Sequence, residues 1–112
     1  MDATSLPHPD RSEIELASVL QALSDPQRLH IVRELASDAE PRPCGTIHLN
    51  VTKSTMTHHF RVLREAGVIR QERVGTTKLT SLRRADLDAR FPGLLDAVLS
   101  GANQEPERLL SA

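Results

Sequence analysis

"TKSTMTHHFRVLREAG", Thr52 to Gly67, is the stretch on which the fold turns. Thr52 offers a hydroxyl where a helix would begin, and Gly67 stands where a left-handed stop would end it. At about 100° per residue, Met56, His59, Phe60 and Leu63 share one arc suited to a core. The opposite arc carries Ser54, Thr55, His58, Arg61 and Glu65, with Thr57 at its border. Adjacent histidines on a helix diverge by about the same angle, so His58 and His59 make a poor chelate, unlike an i, i+4 pair. His59 is therefore expected inside, packed or hydrogen-bonded, and His58 outside.

The flanking segments set that helix in a frame. Downstream, "VIRQERVGTTKLTSL" (Val68 to Leu82) places β-branched residues on both sides of Gly75, which predicts a hairpin with strands Val68–Arg73 and Thr77–Leu82 and a tip at Val74–Thr76. Upstream, "SEIE" offers Ser12 and Glu15 at capping-box spacing, followed by a stripe of Leu16, Val19, Leu20 and Leu23. "SDPQR" closes that helix and opens a second, with Ser24 or Asp25 as cap, Pro26 in the first turn and Leu29, Val32 and Leu35 inward, running to about Ser37. In the connector, Ile47, Leu49 and Val51 alternate like a short extended piece, with at most one or two turns of helix expected. After a short turn near Arg83 and Arg84, Pro92 is expected to start a last helix whose stripe is Leu94, Leu95, Val98 and Leu99, ending near Gly101.

A chain of 112 residues is one domain by length. Residues 12–101 form the expected domain, 1–11 a flexible arm and 102–112 a flexible tail. Cys44 is the single cysteine, which excludes an intrachain disulfide and a multi-cysteine cage and fits a reducing compartment. No apolar run approaches the ~18 residues of a membrane span, and "MDATSLPHPD" lacks the pattern of a signal peptide. The expectation is a soluble, cytoplasmic protein with no membrane partner and no cofactor.

The formal net charge of −1 conceals a segregation: residues 1–52 carry −4, residues 53–84 carry +6 and residues 85–112 carry −3. The basic stretch holds Lys53, Arg61, Arg64, Arg70, Arg73, Lys78, Arg83 and Arg84 against Glu65 and Glu72. Charge grouped in this way suits a polyanion. The order of helices, connector, amphipathic helix and basic hairpin predicts a mainly α fold with a β-hairpin wing (α+β), a winged helix-turn-helix.

"LQALSDPQRLHIVRELA" and "TKSTMTHHFRVLREAGVIRQERVG" resemble the ArsR family of bacterial winged-helix repressors, whose pattern pairs a D-P-x-R-L helix with an S-x-S-x-x-S-x-H-L-x-x-L-R-E-A-G recognition helix and a basic wing. The resemblance spans about Leu16 to Leu82. It implies a homodimer, sequence-specific binding to an operator in double-stranded DNA, repression, and release by a metal or another signal. Some family members sense metal through a C-x-C on the preceding helix, but those positions here are Pro41 and Pro43, with Cys44 one residue out of step. Others use histidines on the last helix, and "FPGLLDAVLSG" has none. The wing also carries Thr76 and Thr77 where basic residues are usual, and Leu79 and Thr80 where an aromatic is common. An organic ligand, an oxidant acting at Cys44, an unfamiliar metal site or no inducer at all stay open.

Chemistry then distributes roles. Thr55, Thr57, His58 and Arg61 are expected to contact bases, since arginine reads guanine O6 and N7 and threonine methyls touch thymine. Lys53, Ser54, Arg70, Arg73 and Lys78 suit phosphates. Leu16, Val19, Leu20 and Leu23 with Leu94, Leu95, Val98 and Leu99 exceed what one small core uses, so a two-fold interface through the first and last helices is expected. Cys44 and His48 stand at i, i+4 and would share a face in a helical turn, a metal pair that two subunits could complete, although a small buried cysteine is the commoner outcome. No catalytic constellation or Gly-rich phosphate loop supports an enzyme. RNA stacking is disfavoured, since tyrosine and tryptophan are absent and Phe60 and Phe91 sit in apolar stripes. The alternative is a winged-helix protein-interaction module without specific DNA binding.

Overall fold

The computed structural model describes residues 4–38 and 40–105. Its elements run β1 (Thr4–Ser5), α1 (Leu16–Leu23), α2 (Pro26–Ala36), β2 (Arg42–Pro43), α3 (Lys53–Ala66), β3 (Ile69–Val74), β4 (Thr77–Leu82), α4 (Arg84–Arg90) and α5 (Leu94–Asn103), with 3-10 turns at Arg11–Glu13 and Cys44–Thr46. This is a winged helix-turn-helix of five helices and an antiparallel sheet of order β1-β3-β4-β2. No helix among the described residues is long and apolar enough to cross a membrane.

The core collects one side of each helix. Val19, Ala22 and Leu23 of α1, Ile31, Val32 and Leu35 of α2, Phe60 and Leu63 of α3, and Leu87 and Leu95 of α4 and α5 close on Val68 and Ile69 at the base of the wing. Asp25 caps α2, its Oδ1 accepting from the Gln27 amide at 2.8 Å, and Pro26 fills the first turn as expected. On α2 the inward position is Ile31, with Leu29 half-buried, because the helix turns its 31–32–35 side to the core.

The start of α1 differs from the sequence expectation. The Asp10 amide donates to Glu13 Oε1 at 2.8 Å, so the box closes a 3-10 turn at Arg11–Glu13 and not at Ser12 and Glu15. Ile14 then runs extended and is 1% exposed, which interrupts the helix before Leu16. Ile14 lies beneath Gly67, which holds φ +88; a Cβ there would come within 2.6 Å of Ile14 Cγ1. Close approach and left-handed conformation together require glycine at the end of α3.

Four further elements depart from expectation. Residues 84–90 form a helix where a turn was expected, and α5 begins at Leu94 behind Gly93, leaving Pro92 in the turn between them. The connector holds one 3-10 turn, and its strand is Arg42–Pro43, paired with Thr80 and Leu79, not the Ile47–Val51 alternation. The segment expected as a free arm lies along the outer edge of the wing: Thr4 and Ser5 register with Arg73 and Glu72, and the Leu6 amide donates to Gln71 O at 3.2 Å. Residues 106–112 of the expected tail lie outside the described residues, and α5 continues past Gly101 to Asn103.

Candidate nucleic-acid interface

Helix α3 is held by its own ends. Thr52 Oγ1 accepts from the Thr55 amide at 3.2 Å, and Gly67 closes the C-terminus, where the Val68 amide donates to Leu63 O at 3.0 Å. His59, Phe60, Leu63 and Ala66 are buried, and Lys53, Ser54, Thr57, His58 and Arg61 are exposed. Thr55 is half-buried and bound into the cap, taking a hydrogen bond from Thr52 Oγ1 at 2.9 Å. The Thr57 hydroxyl donates to Lys53 O at 3.0 Å. Arg61 is exposed, and among the described residues no ion pair engages it.

The wing is a two-residue hairpin with Gly75 at φ +65 in the first turn position. Arg73 stands opposite Lys78, so the two cations share a face of the ladder. Arg70, three residues before Arg73, falls on the other face. There its guanidinium comes within 4.0 Å of Asp86 Oδ2. The sequence grouped these three cations together; strand register separates them.

Asp86 anchors the base of the wing. Arg11 Nε donates to its Oδ1 at 2.7 Å and Arg83 Nε to its Oδ2 at 2.9 Å, while Arg83 also donates to Pro9 O at 2.8 Å. Burial alone would raise this carboxyl, but the hydrogen bonds and charges of Arg11 and Arg83 outweigh it and hold it below its ordinary value. His8 lies on the same edge, its Nε2 accepting the Gln71 amide at 2.9 Å. Burial pushes His8 down, and Arg70, Arg83 and Arg64 push it further against the opposing Leu6 carbonyl. An acceptor role at Nε2 requires the neutral ring.

The metal candidates are not brought together as a helical pair. Cys44 opens a 3-10 turn and faces the hairpin, its Sγ 2.7 Å from Thr80 Oγ1 and accepting from Gln71 Nε2 at 3.2 Å. His48 is exposed and borders an open cleft of about 610 Å³ with His30, Glu34 and Arg42. Among the described residues no three histidine, cysteine or acidic side chains are placed to hold a metal ion.

The apolar stripes divide. Val19, Leu23 and Leu95 belong to the chain's own core. Leu16 and Leu20 are each 46% exposed, and Leu94, Val98 and Leu99 are half-buried at the core's margin. Sequence reading missed the residues behind α3: Arg28 donates to His59 Nδ1 at 3.2 Å, and Arg64 to Gln71 Oε1 at 2.8 Å. The available signal at Arg28 was a cation in the first turn of α2, the end that helix polarity makes unfavourable for positive charge.

This arrangement has known counterparts. Residues 23–72 match the model of a helix-turn-helix domain family. The chain is 36% identical over 84 residues to the uncharacterized HTH-type transcriptional regulator YceK of Bacillus subtilis, spanning 73% of this chain and 84% of that one. The chain belongs to the ArsR family. The HTH-type transcriptional regulator NmtR of Mycobacterium tuberculosis is 30% identical over 95 residues, covering 85% of this chain and 76% of its own. The transcriptional repressor SdpR of B. subtilis is 29% identical over 86 residues, covering 77% and 96%. This ArsR-family protein is a DNA-binding transcriptional regulator.

Proposed function

We propose that the chain is a homodimeric, sequence-specific repressor that reads an operator through the outer face of α3 and is released by a signal that is not a metal bound at the family's familiar positions. The observation that carries this reading is the exposed row of Lys53, Ser54, Thr57, His58 and Arg61 on a helix whose reverse side is buried. Thr57, His58 and Arg61 read bases, with Thr55 contributing at the helix start. Lys53 and Ser54 hold phosphates at the N-terminus of α3, and Arg73 and Lys78 hold them from one face of the wing, with Arg70 reaching from the other. The name of SdpR supports repression as the outcome.

Dimerisation uses the first and last helices. Leu16 and Leu20 supply the exposed apolar surface on α1, and Leu94, Val98 and Leu99 supply the margin on α5. Two copies related by a two-fold axis would offer two recognition helices to half-sites about one turn of DNA apart.

The test is fluorescence anisotropy of the purified chain on duplex from its own upstream region and on random duplex, at two salt concentrations. Tight, salt-sensitive and selective binding is expected. Absence of selective binding across a broad duplex library would favour a winged-helix interaction module instead.

A further inference from the structure

Behind α3 one guanidinium joins three helices. Arg28, in the first turn of α2, donates from Nε to Ala22 O at 2.7 Å and from Nη2 to Gln21 O at 3.4 Å. Both carbonyls belong to the last turn of α1: Gln21 O already accepts from the Ser24 amide and hydroxyl, and Arg28 supplies the short hydrogen bond to Ala22 O. From Nη1 the same group reaches His59 Nδ1 on α3 at 3.2 Å. His59 is 7% exposed and adjoins His58 on the chain, so the strap is attached within a residue of the outer face. Arginine supplies these three directions from one rigid plane, which lysine cannot.

We infer that Arg28 and His59 are positioning residues for DNA recognition, the guanidinium holding the neutral imidazole so that the rotation of α3, and with it the aim of Thr57, His58 and Arg61, is set against α1 and α2. The inference rests on the base-reading assignment of that face. Geometry gives the strap its leverage: side-chain tips lie about 6 Å from a helix axis, so a roll of about 15° moves them by about 1.5 Å. Hydrogen bonds to base edges do not tolerate that displacement.

The contact is also sensitive to protonation. Arginine only donates, so Nδ1 must carry no proton. A proton there replaces an acceptor with a second donor facing a cation. The charged groups around the ring are Asp25 at the start of α2, Arg28, and His58 on the same helix. Burial holds His59 below its ordinary value, with Arg28 and His58 acting in the same direction and Asp25 opposing them. The strap is closed at neutral pH and opens on acidification.

Hydrogen exchange of the full chain tests this without DNA, from about pH 7.5 in steps down to about pH 4.5, because the buried ring takes its proton below the ordinary imidazole range. Protection factors along α3 are expected to fall about tenfold on acidification in the wild type. They should stay level in His59→Gln, which keeps an acceptor that does not titrate, and be low at every pH in Arg28→Met. In parallel, the anisotropy ratio of operator to random duplex should follow the same pattern, again by about tenfold. Equal acid sensitivity in His59→Gln and wild type overturns the inference, as does wild-type protection in Arg28→Met. Should Arg28→Met not fold, the His59→Gln comparison decides alone. Protection that changes as expected while a selective wild type keeps a constant ratio also overturns the positioning role. A wild type that selects no operator at any pH refutes the base-reading assignment, and the positioning role falls with it.

Discussion

Arg73 and Lys78 stand directly opposite each other across the wing, two cations in register on neighbouring strands. Like charges so placed repel, which costs the free protein up to about 1 kcal/mol. A phosphate between them turns the cost into attraction. Lys78→Ala is therefore expected to weaken operator and random duplex alike and to reduce the slope of log K against log salt by about 1. The same variant should be no less stable than wild type in urea. Unequal losses on the two duplexes would assign Lys78 to base reading instead.

Arg61 carries the opposite signature. Its side chain is exposed on the outer face of α3, so Arg61→Ala should cost about 1–3 kcal/mol on the operator and relax preference at one base position. Random duplex should lose far less. Binding titrations on a set of singly substituted operators separate this from a loss of general attraction.

Gly67 gives a stability prediction independent of DNA. Gly67→Ala combines a left-handed backbone at φ +88 with a Cβ 2.6 Å from Ile14 Cγ1, for an expected loss of about 2–4 kcal/mol in denaturant unfolding. In an Ile14→Ala background the clash disappears and only the backbone strain is left. The cost of Gly67→Ala should then shrink, a coupling read directly from the double-mutant cycle. Equal costs in both backgrounds would show that the clash is absorbed elsewhere.

Asp86 predicts the acid limb of stability. Its carboxyl is held below the ordinary value in the folded chain, so the unfolded chain binds the proton more readily and stability falls with pH below about 4. Above that range the contribution is fully present. Asp86→Asn should flatten this limb and cost about 2–3 kcal/mol at neutral pH, because Arg83, whose side chain is 4% exposed, loses its charged partner. Urea melts of both proteins from neutral pH to about pH 3 measure the two effects together.

The dimer interface rests on Leu16 and Leu20. Replacing both with glutamate should give a folded monomer in sedimentation velocity, since neither side chain contributes to the chain's own core. Operator affinity should drop more than affinity for an isolated half-site. A dimer that survives the double replacement would place the interface elsewhere.

What was readable in the sequence is what local chemistry encodes. Thr52, the arc of His59, Phe60 and Leu63, and Gly67 are neighbours in sequence and in space, so periodicity and capping located α3, and Gly75 located the wing turn. These signals break down where two local solutions compete. Asp10 and Glu13 have the same spacing as Ser12 and Glu15, and only the burial of Ile14 beneath Gly67 selects the first. Helix α4 escaped because seven residues with one buried leucine hold too little periodicity to detect. Tertiary structure alone decided the rest. The faces of Arg70 and Arg73 depend on strand register, and Arg28 meets His59 across 31 residues. Sequence by itself determined which surface carries the chemistry, because amphipathic spacing is a local property; packing decided what holds that surface in place, because a hydrogen bond between helices exists only once the core has brought them together.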